Sequence, residues 1–442
     1  MTVKVRARLF QAFIILFVIL TITTSLYAAG YRLTLSRPFS WSEILQKTGL
    51  LQVDTKPNGA KIYLEKHQKS LFSNPDKYRG ETITPAKITH LIPGKYDLTV
   101  ELDGYWSWEK EIEIQPGQAI YFEDIVLFKK TLPLLINPSS LQETTFSPNN
   151  HYAFLNEDKV ILDLDTEETF ALPEEELSNW QWSSNDNQFV TDKYTFKPTT
   201  QEINWLNTKD QINNLKCFKN NKQIFYQNPD SISQFNLSSQ DISIIASDTS
   251  CQDYFIYNNR LITINTVDNR THLKVANFKN EKLRIIELPY SNKYKFIDLN
   301  NGYINVWQED YESLYVINIK DDFQPIKARI DNLKYVIWLG DDQLLYANDS
   351  EILFYDLNLS QSTLITRVST QITKLLWHPA KNYIIFSSPD SLYVIDWQKR
   401  DYTITKIITL TAIESASLDY KQNQLYFSGE IGQQSGIYKL SL

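Results

Sequence analysis

The sequence predicts a chain that is all-β apart from one N-terminal transmembrane helix: a small β-sandwich followed by a β-propeller of eight blades, with seven as the alternative count. Three observations carry this reading. Residues 9–31 hold no charged side chain, residues 50–128 are short alternating runs parted by Pro- and Gly-containing turns, and residues 141–442 repeat one pattern at intervals of 32 to 43 residues. Composition agrees, since 26 Tyr, 22 Phe and 10 Trp favour strands, and 42% hydrophobic with 22% charged residues excludes disorder and an all-helical bundle. A length of 442 residues exceeds what one core usually serves.

The membrane segment runs from Leu9 to Tyr31. At ~1.5 Å per residue it reaches roughly 34 Å, enough for a hydrocarbon core of ~30 Å. Lys4, Arg6 and Arg8 precede it and Arg32 and Arg37 follow, so residues 1–8 are expected as a short cytoplasmic tail with the bulk of the chain outside. A cleaved signal peptide is the competing reading, with Phe13 to Leu20 as its apolar region and Ala28-Ala29-Gly30 as small residues at the cut. The run outlasts an apolar signal region of ~7 to 15 residues, which favours the uncleaved single-pass anchor. Residues 32–49 read as a linker.

The net charge is −8, and the first fifty residues carry six basic side chains and one acidic, which leaves −13 for the rest. That balance excludes a broad nucleic-acid surface. Cys217 and Cys251 are the whole cysteine complement, so neither a disulfide scaffold nor a four-Cys zinc site is available. They are expected as two buried free thiols, with a bridge left open.

Within residues 50–128 the strands are read at 50–53, 61–64, 96–102, 110–114 and 119–127. Pro57-Asn58-Gly59, Pro93-Gly94, Asp103-Gly104 and Pro116-Gly117 turn the chain between them, because Pro presets φ and Gly accepts positive φ. Tyr96, Leu98, Val100 and Leu102 alternate with polar residues, giving one buried face in an antiparallel unit. Thr55-Lys56-Pro57-Asn58-Gly59-Ala60, Ile62-Tyr63-Leu64, Thr84-Pro85, Leu91 to Tyr96, Gly104-Tyr105, Trp108 and Pro116-Gly117-Gln118 resemble, in order, the PEGA domain, a small β-sandwich of exported bacterial and archaeal proteins. Asn58 stands where the family's name has Glu, and Glu65 to Ile83 is longer and more polar than the usual tight turn. The resemblance implies a spacer or adhesion module without catalytic residues. In the long segment, Lys66, His67, Lys69, Lys77, Tyr78 and Arg79 offer a basic contact loop, against a merely solvated one. Trp106 and Trp108 fall on one strand face by period-2 geometry; Trp108 matches the family's core aromatic, and Trp106 is either a contact residue or edge packing.

From residue 131 onward the chain is read as propeller. The recurring mark is Asp or Asn followed by a large apolar residue at a strand end: Asp163-Leu164, Asn204-Trp205, Asn236-Leu237, Asn277-Phe278, Asn318-Ile319, Asp356-Leu357 and Asp396-Trp397, with Lys439-Leu440 as an eighth copy lacking the Asx residue. A second mark precedes most of them, an aromatic residue leading through a polar turn into an apolar strand, as in Phe146-Ser147-Pro148-Asn149-Asn150, Trp182-Ser183-Ser184-Asn185-Asp186, Trp338-Leu339-Gly340-Asp341-Asp342 and Trp377-His378-Pro379. These units resemble WD-like and TolB-like propeller repeats, with the turn glycine mostly missing. The final unit supplies three strands, and Thr131 to Ile136 is expected to complete it as an outer clasp strand.

No catalytic, cofactor or metal site is read from the sequence. His67, His90, His151, His272 and His378 show no metal-ligand spacing, and no Walker loop, dinucleotide turn or nucleophile elbow occurs. Ser107-Trp108-Glu109-Lys110 fits S-x-x-K but lies on a strand. Glu167-Glu168, Glu174 to Glu176, Asp321-Asp322 and Asp341-Asp342 are read as solvated acidic surface, with a cation or basic partner at one propeller rim as the alternative. The expectation is a membrane-anchored cell-envelope protein, a non-catalytic binding scaffold for a protein or glycan partner, with Trp106, Lys77, Tyr78 and Arg79 as contact residues. An exported propeller hydrolase or lyase with carboxylates at the channel mouth is the alternative.

Overall fold

The N-terminal helix spans Val3–Ala28 in the computed structural model, which describes residues 3–33, 45–67, 77–141, 144–208, 212–217, 222–247, 250–278, 282–378, 383–397 and 403–442. Its stretch Leu9–Ala28 has a mean hydropathy of 2.3 and none of it is buried, so no protein core covers it. The hydroxyls of Thr21 and Thr24 donate to Phe17 O and Leu20 O at 2.8 Å, which satisfies them inside the helix as a lipid environment requires. The chain divides into two compact units, Met1–Thr131 together with Thr403–Ile407, and Leu132–Tyr402 together with Ile408–Leu442.

In the first unit the segment after the helix turns back on itself. Tyr31–Leu33 pairs antiparallel with Leu45–Lys47, and Thr48 donates to Gly30 O through both its N–H (2.8 Å) and its hydroxyl (2.7 Å). Tyr27 stacks on His90 at 4.6 Å between centroids. The ends of the expected linker are therefore fastened together at the sandwich, and residues 34–44 lie outside the described residues.

The sandwich has a three-stranded sheet (Ala86–Leu91, Gly49–Lys56, Ala119–Val126) and a four-stranded one (Lys77–Ile83, Lys61–Lys66, Gly94–Glu101, Trp108–Ile114). Leu51, Val53, Ile62, Leu64, Leu98 and Val100 fill the space between them. The alternation of Tyr96, Leu98 and Val100 buries the face the sequence indicated. The unit is not purely antiparallel, because Gly49–Lys56 and Ala119–Val126 pair in parallel from Leu50↔Ala119 to Lys56↔Val126. Alternation fixes which face is buried and leaves the direction of a distant partner open. The threonines of the two Thr/Pro motifs meet in the core: Thr55 and Thr84 hydroxyls lie 2.5 Å apart, Thr55 donates to Pro57 O (2.7 Å), and Ala60 N donates to Thr84 Oγ1 (3.0 Å). Gly94 has φ +147, and a Cβ there would lie 2.8 Å from Lys66 Cε. A β-branched residue at that position is strained.

The second unit is an eight-bladed propeller, each blade a four-stranded sheet. Blade 1 comprises Thr144–Phe146, Tyr152–Leu155, Val160–Asp163 and Thr169–Ala171. The first strands of blades 2 to 8 are Trp180–Trp182, Asn213–Cys217, Cys251–Tyr257, Tyr294–Asn300, Tyr335–Trp338, Lys374–His378 and Ala412–Asp419. First strands are neighbours between blades 2 and 3, 4 and 5, 6 and 7, and 7 and 8, and that of blade 8 lies beside that of blade 1, closing the ring. The apolar clusters straddle pairs of blades, for example Phe154 and Ile161 with Trp182, Phe189 and Tyr194 between blades 1 and 2.

The Asx mark has a clear cause. Asp163 Oδ1 accepts from the N–H groups of Asp165 and Thr166 (both 2.9 Å), and Asn236, Asn318 and Asp356 cap the same turn after the third strand. The following residue donates across the blade, Leu164 N to His151 O (2.8 Å) and Leu357 N to Asp342 O (2.9 Å). Two marks are corrected by this geometry. In blade 2 the third strand ends at Lys197, and Asn204-Trp205 lies on the outer strand Glu202–Trp205. In blade 8 the Gln424↔Ser441 pair and the bond from Leu442 N to Asn423 O place the mark at Ser441-Leu442, not Lys439-Leu440. Neither position carries Asx, so the search settled on nearby imitations.

Blade 8 is completed as expected by a strand from before blade 1, though it runs over Leu134–Pro138 and not Thr131 to Ile136. Leu134–Pro138 pairs antiparallel with Gln434–Ser441, from Leu134↔Lys439 to Pro138↔Gly436. Pro133 falls just before the ladder and Pro138 at its end, where a missing donor is tolerated on an edge strand. Ile136 enters the core shared by blades 8 and 1 with Tyr426, Ile437, Ala153 and Leu162. A Cβ on Gly436 would stand 2.2 Å from Asn137 O, so the clasp and its partner approach as only glycine permits. Gly436→Val should therefore destabilise by roughly 1–3 kcal/mol through overpacking. Deleting residues 134–138 should lower the melting temperature further and promote aggregation through the exposed edge, both measurable by calorimetry and light scattering.

Candidate functional site

Lys77, Tyr78 and Arg79 lie not in a loop but on the edge strand Lys77–Ile83, with Leu64↔Tyr78 and Glu65↔Lys77 in register. Their polar composition hid the strand. The side chains of these three, and Lys69 with the rest of residues 68–76, lie outside the described residues. Trp106 and Trp108 do not share a strand face, because the strand Trp108–Ile114 begins only at Trp108. Trp108 is buried against Phe122, edge to face at 5.4 Å. Trp106 is half-buried in the preceding turn: its N–H donates to Phe128 O (2.8 Å), Lys130 Nζ sits 5.2 Å above its ring, and its indole Nε1 is buried without a hydrogen-bond partner.

The acidic clusters serve separate local tasks. Asp321 caps a turn through Phe323 N (2.9 Å) and Gln324 N (3.2 Å) and pairs with Lys327; the Lys327 bond first, then those two amides, hold its carboxyl down at about 2. Asp342 accepts from Asn358 Nδ2 at 3.2 Å. Glu167 and Glu168 line an open groove of about 530 Å³ with Phe170, Phe196, Gln201 and Ile203. Among the described residues, no three His, Cys, Asp or Glu ligand atoms of the propeller come within 4.8 Å of one another. His151 pairs with Asp165 (2.9 Å), His378 with Asn423 (3.1 Å), and His272 lies on a third strand.

One group does converge, on the sandwich: His67, Asp97 and Glu111. His67 Nε2 bonds to Asp97 Oδ2, and Lys95 Nζ lies 3.0 Å from Glu111 Oε1. The Lys95 ammonium holds the Glu111 carboxyl below its usual range, with His67 a smaller contributor. Separations of 30 and 14 residues concealed the group. Cross-strand register, Glu65↔Asp97 and Asp97↔Glu111, is the signal that brings it together.

Residues 48–124 match the PEGA domain family. No curated protein matches the chain in sequence. Similar solved structures include the Dos1 propeller, 11% identical over 69% of this chain and 93% of that one with a TM-score of 0.49. Another is the dihydro-heme d1 dehydrogenase NirN in complex with DHE, 10% identical over 67% of this chain and 73% of that one with a TM-score of 0.46. The chain thus carries a PEGA-domain match at residues 48–124, an eight-bladed β-propeller and one N-terminal helix long and apolar enough to cross a membrane.

Cys217 and Cys251 are buried free thiols, and burial pushes Cys217 up to about 12. Neither should react with a thiol reagent at neutral pH until the protein is denatured, as timed absorbance assays would show. Trp106→Phe removes a buried donor that has no partner, so thermal melting should be unchanged or raised.

Proposed function

We propose that this protein is a single-pass membrane protein of the cell envelope, its N-terminus cytoplasmic, and that its propeller is a non-catalytic platform binding an envelope protein or glycan. The observation that carries the reading is the direct fastening of the apolar helix to a PEGA domain through Thr48, Gly30, Tyr27 and His90. A helix this exposed needs lipid, and a sandwich bonded to its end rests at the membrane surface. Basic flanking residues favour the inward N-terminus. The proposed contacts are Trp106, with its covering Lys130, and the edge-strand residues Lys77, Tyr78 and Arg79.

Protease added outside intact cells should degrade all but the anchor, and the purified protein should retain residues before Leu9. A mature chain beginning near Gly30 would replace the anchor by a signal peptide. Partner capture by the purified full chain should weaken on Trp106→Ala and Arg79→Glu if these are contact residues.

A further inference from the structure

The four-stranded sheet of the sandwich buries Ile62, Leu64, Tyr96, Leu98 and Ile112 on its inner face. Period-2 alternation sends Glu65, Asp97 and Glu111 to the outer face, and register sets them in one row. His67 N donates to Lys95 O (2.8 Å), which extends the ladder by one residue and holds the imidazole beside Asp97. Three ligand atoms from three adjacent strands thus lie within 4.8 Å of one another. Their side chains are about half exposed, at 45%, 54% and 52% for His67, Asp97 and Glu111.

We propose that His67, Asp97 and Glu111 form a zinc site on the outer face of the sandwich. One imidazole nitrogen and two carboxylate oxygens are a donor set that zinc accepts at ~2.0–2.2 Å. The imidazole selects against calcium and magnesium, which take oxygen ligands. Small rotamer shifts on a rigid sheet bring the three donors onto one ion. A fourth position faces solvent, open to water or to a side chain of another molecule. Lys95 is the resident competitor, because its ammonium pairs with the Glu111 carboxylate at 3.0 Å. That ion pair is exposed on both sides and exchanges readily. The proposal is independent of the binding-platform reading.

The test is titration of the full chain in detergent with zinc alone, followed by calorimetry and by competition with a fluorescent chelator. One zinc per chain is expected. His67→Gln and Asp97→Asn should each weaken it by roughly tenfold or more, since even changes outside the ligand shell produce such losses. Lys95→Gln should tighten binding several-fold, which no merely structural ion pair would do. His151→Gln, remote from the group and paired with Asp165, should leave it unchanged. Circular dichroism of each variant separates lost ligation from lost folding. Absence of a stoichiometric site, zinc binding indifferent to His67 and Asp97, or calcium binding as tightly as zinc would overturn the proposal.

Discussion

A twisted four-stranded sheet has two apolar faces and can cover them only with neighbours, so every blade depends on the ring being complete. The apolar clusters lie between blades, and removing any blade would uncover two of them. Side-chain bonds follow the same plan around the circle. Trp182 Nε1 reaches Thr145 O between blades 2 and 1, Gln181 Oε1 accepts from Cys217 N between 2 and 3, and Asn300 Nδ2 donates to Gly340 O between 5 and 6. Tyr335 donates to Thr373 O between blades 6 and 7, His378 meets Asn423 between 7 and 8, and Asn150 Nδ2 reaches Leu418 O between 1 and 8.

Asp253 concentrates this logic at one carboxylate. It stands on the first strand of blade 4, pairs with Lys216 of blade 3 (3.0 Å), accepts from Asn214 of the same blade (2.6 Å) and from Phe296 N of blade 5 (2.7 Å). Both members of the ion pair are largely buried, so losing either would strand a charge in the protein interior. Cys217 fills the cluster between blades 2 and 3 and Cys251 that between blades 3 and 4, each as a small apolar residue, and Cys251 Sγ donates to Asp253 O (3.3 Å).

Legibility in the sequence followed the range of the interactions. The Asx residues after third strands act on N–H groups two and three positions ahead, so Asp163, Asn236, Asn318 and Asp356 repeat at fixed places and reveal the blades. Where Lys197 and Ser441 occupy that position, the same local signal fails and the register of the sheet must supply the answer. The clasp was legible because an apolar segment lacked a partner while the last unit lacked a strand. The parallel pairing in the sandwich and the meeting of His67, Asp97 and Glu111 depend on long-range strand alignment, which no local pattern encodes. Lys77–Ile83 escaped for another reason: its sequence, Lys-Tyr-Arg-Gly-Glu-Thr-Ile, is polar and shows no apolar alternation.

The clasp also sets a timetable for biosynthesis. Leu134–Pro138 is the first propeller strand in chain order, yet its partner Gln434–Ser441 is the last. All the intervening blades must emerge before the earliest strand finds its place. Such remote pairing is slow to form and leaves an apolar edge waiting. A nascent chain halted before Gln434–Ser441 therefore lacks the partner of its first propeller strand and cannot lock the ring.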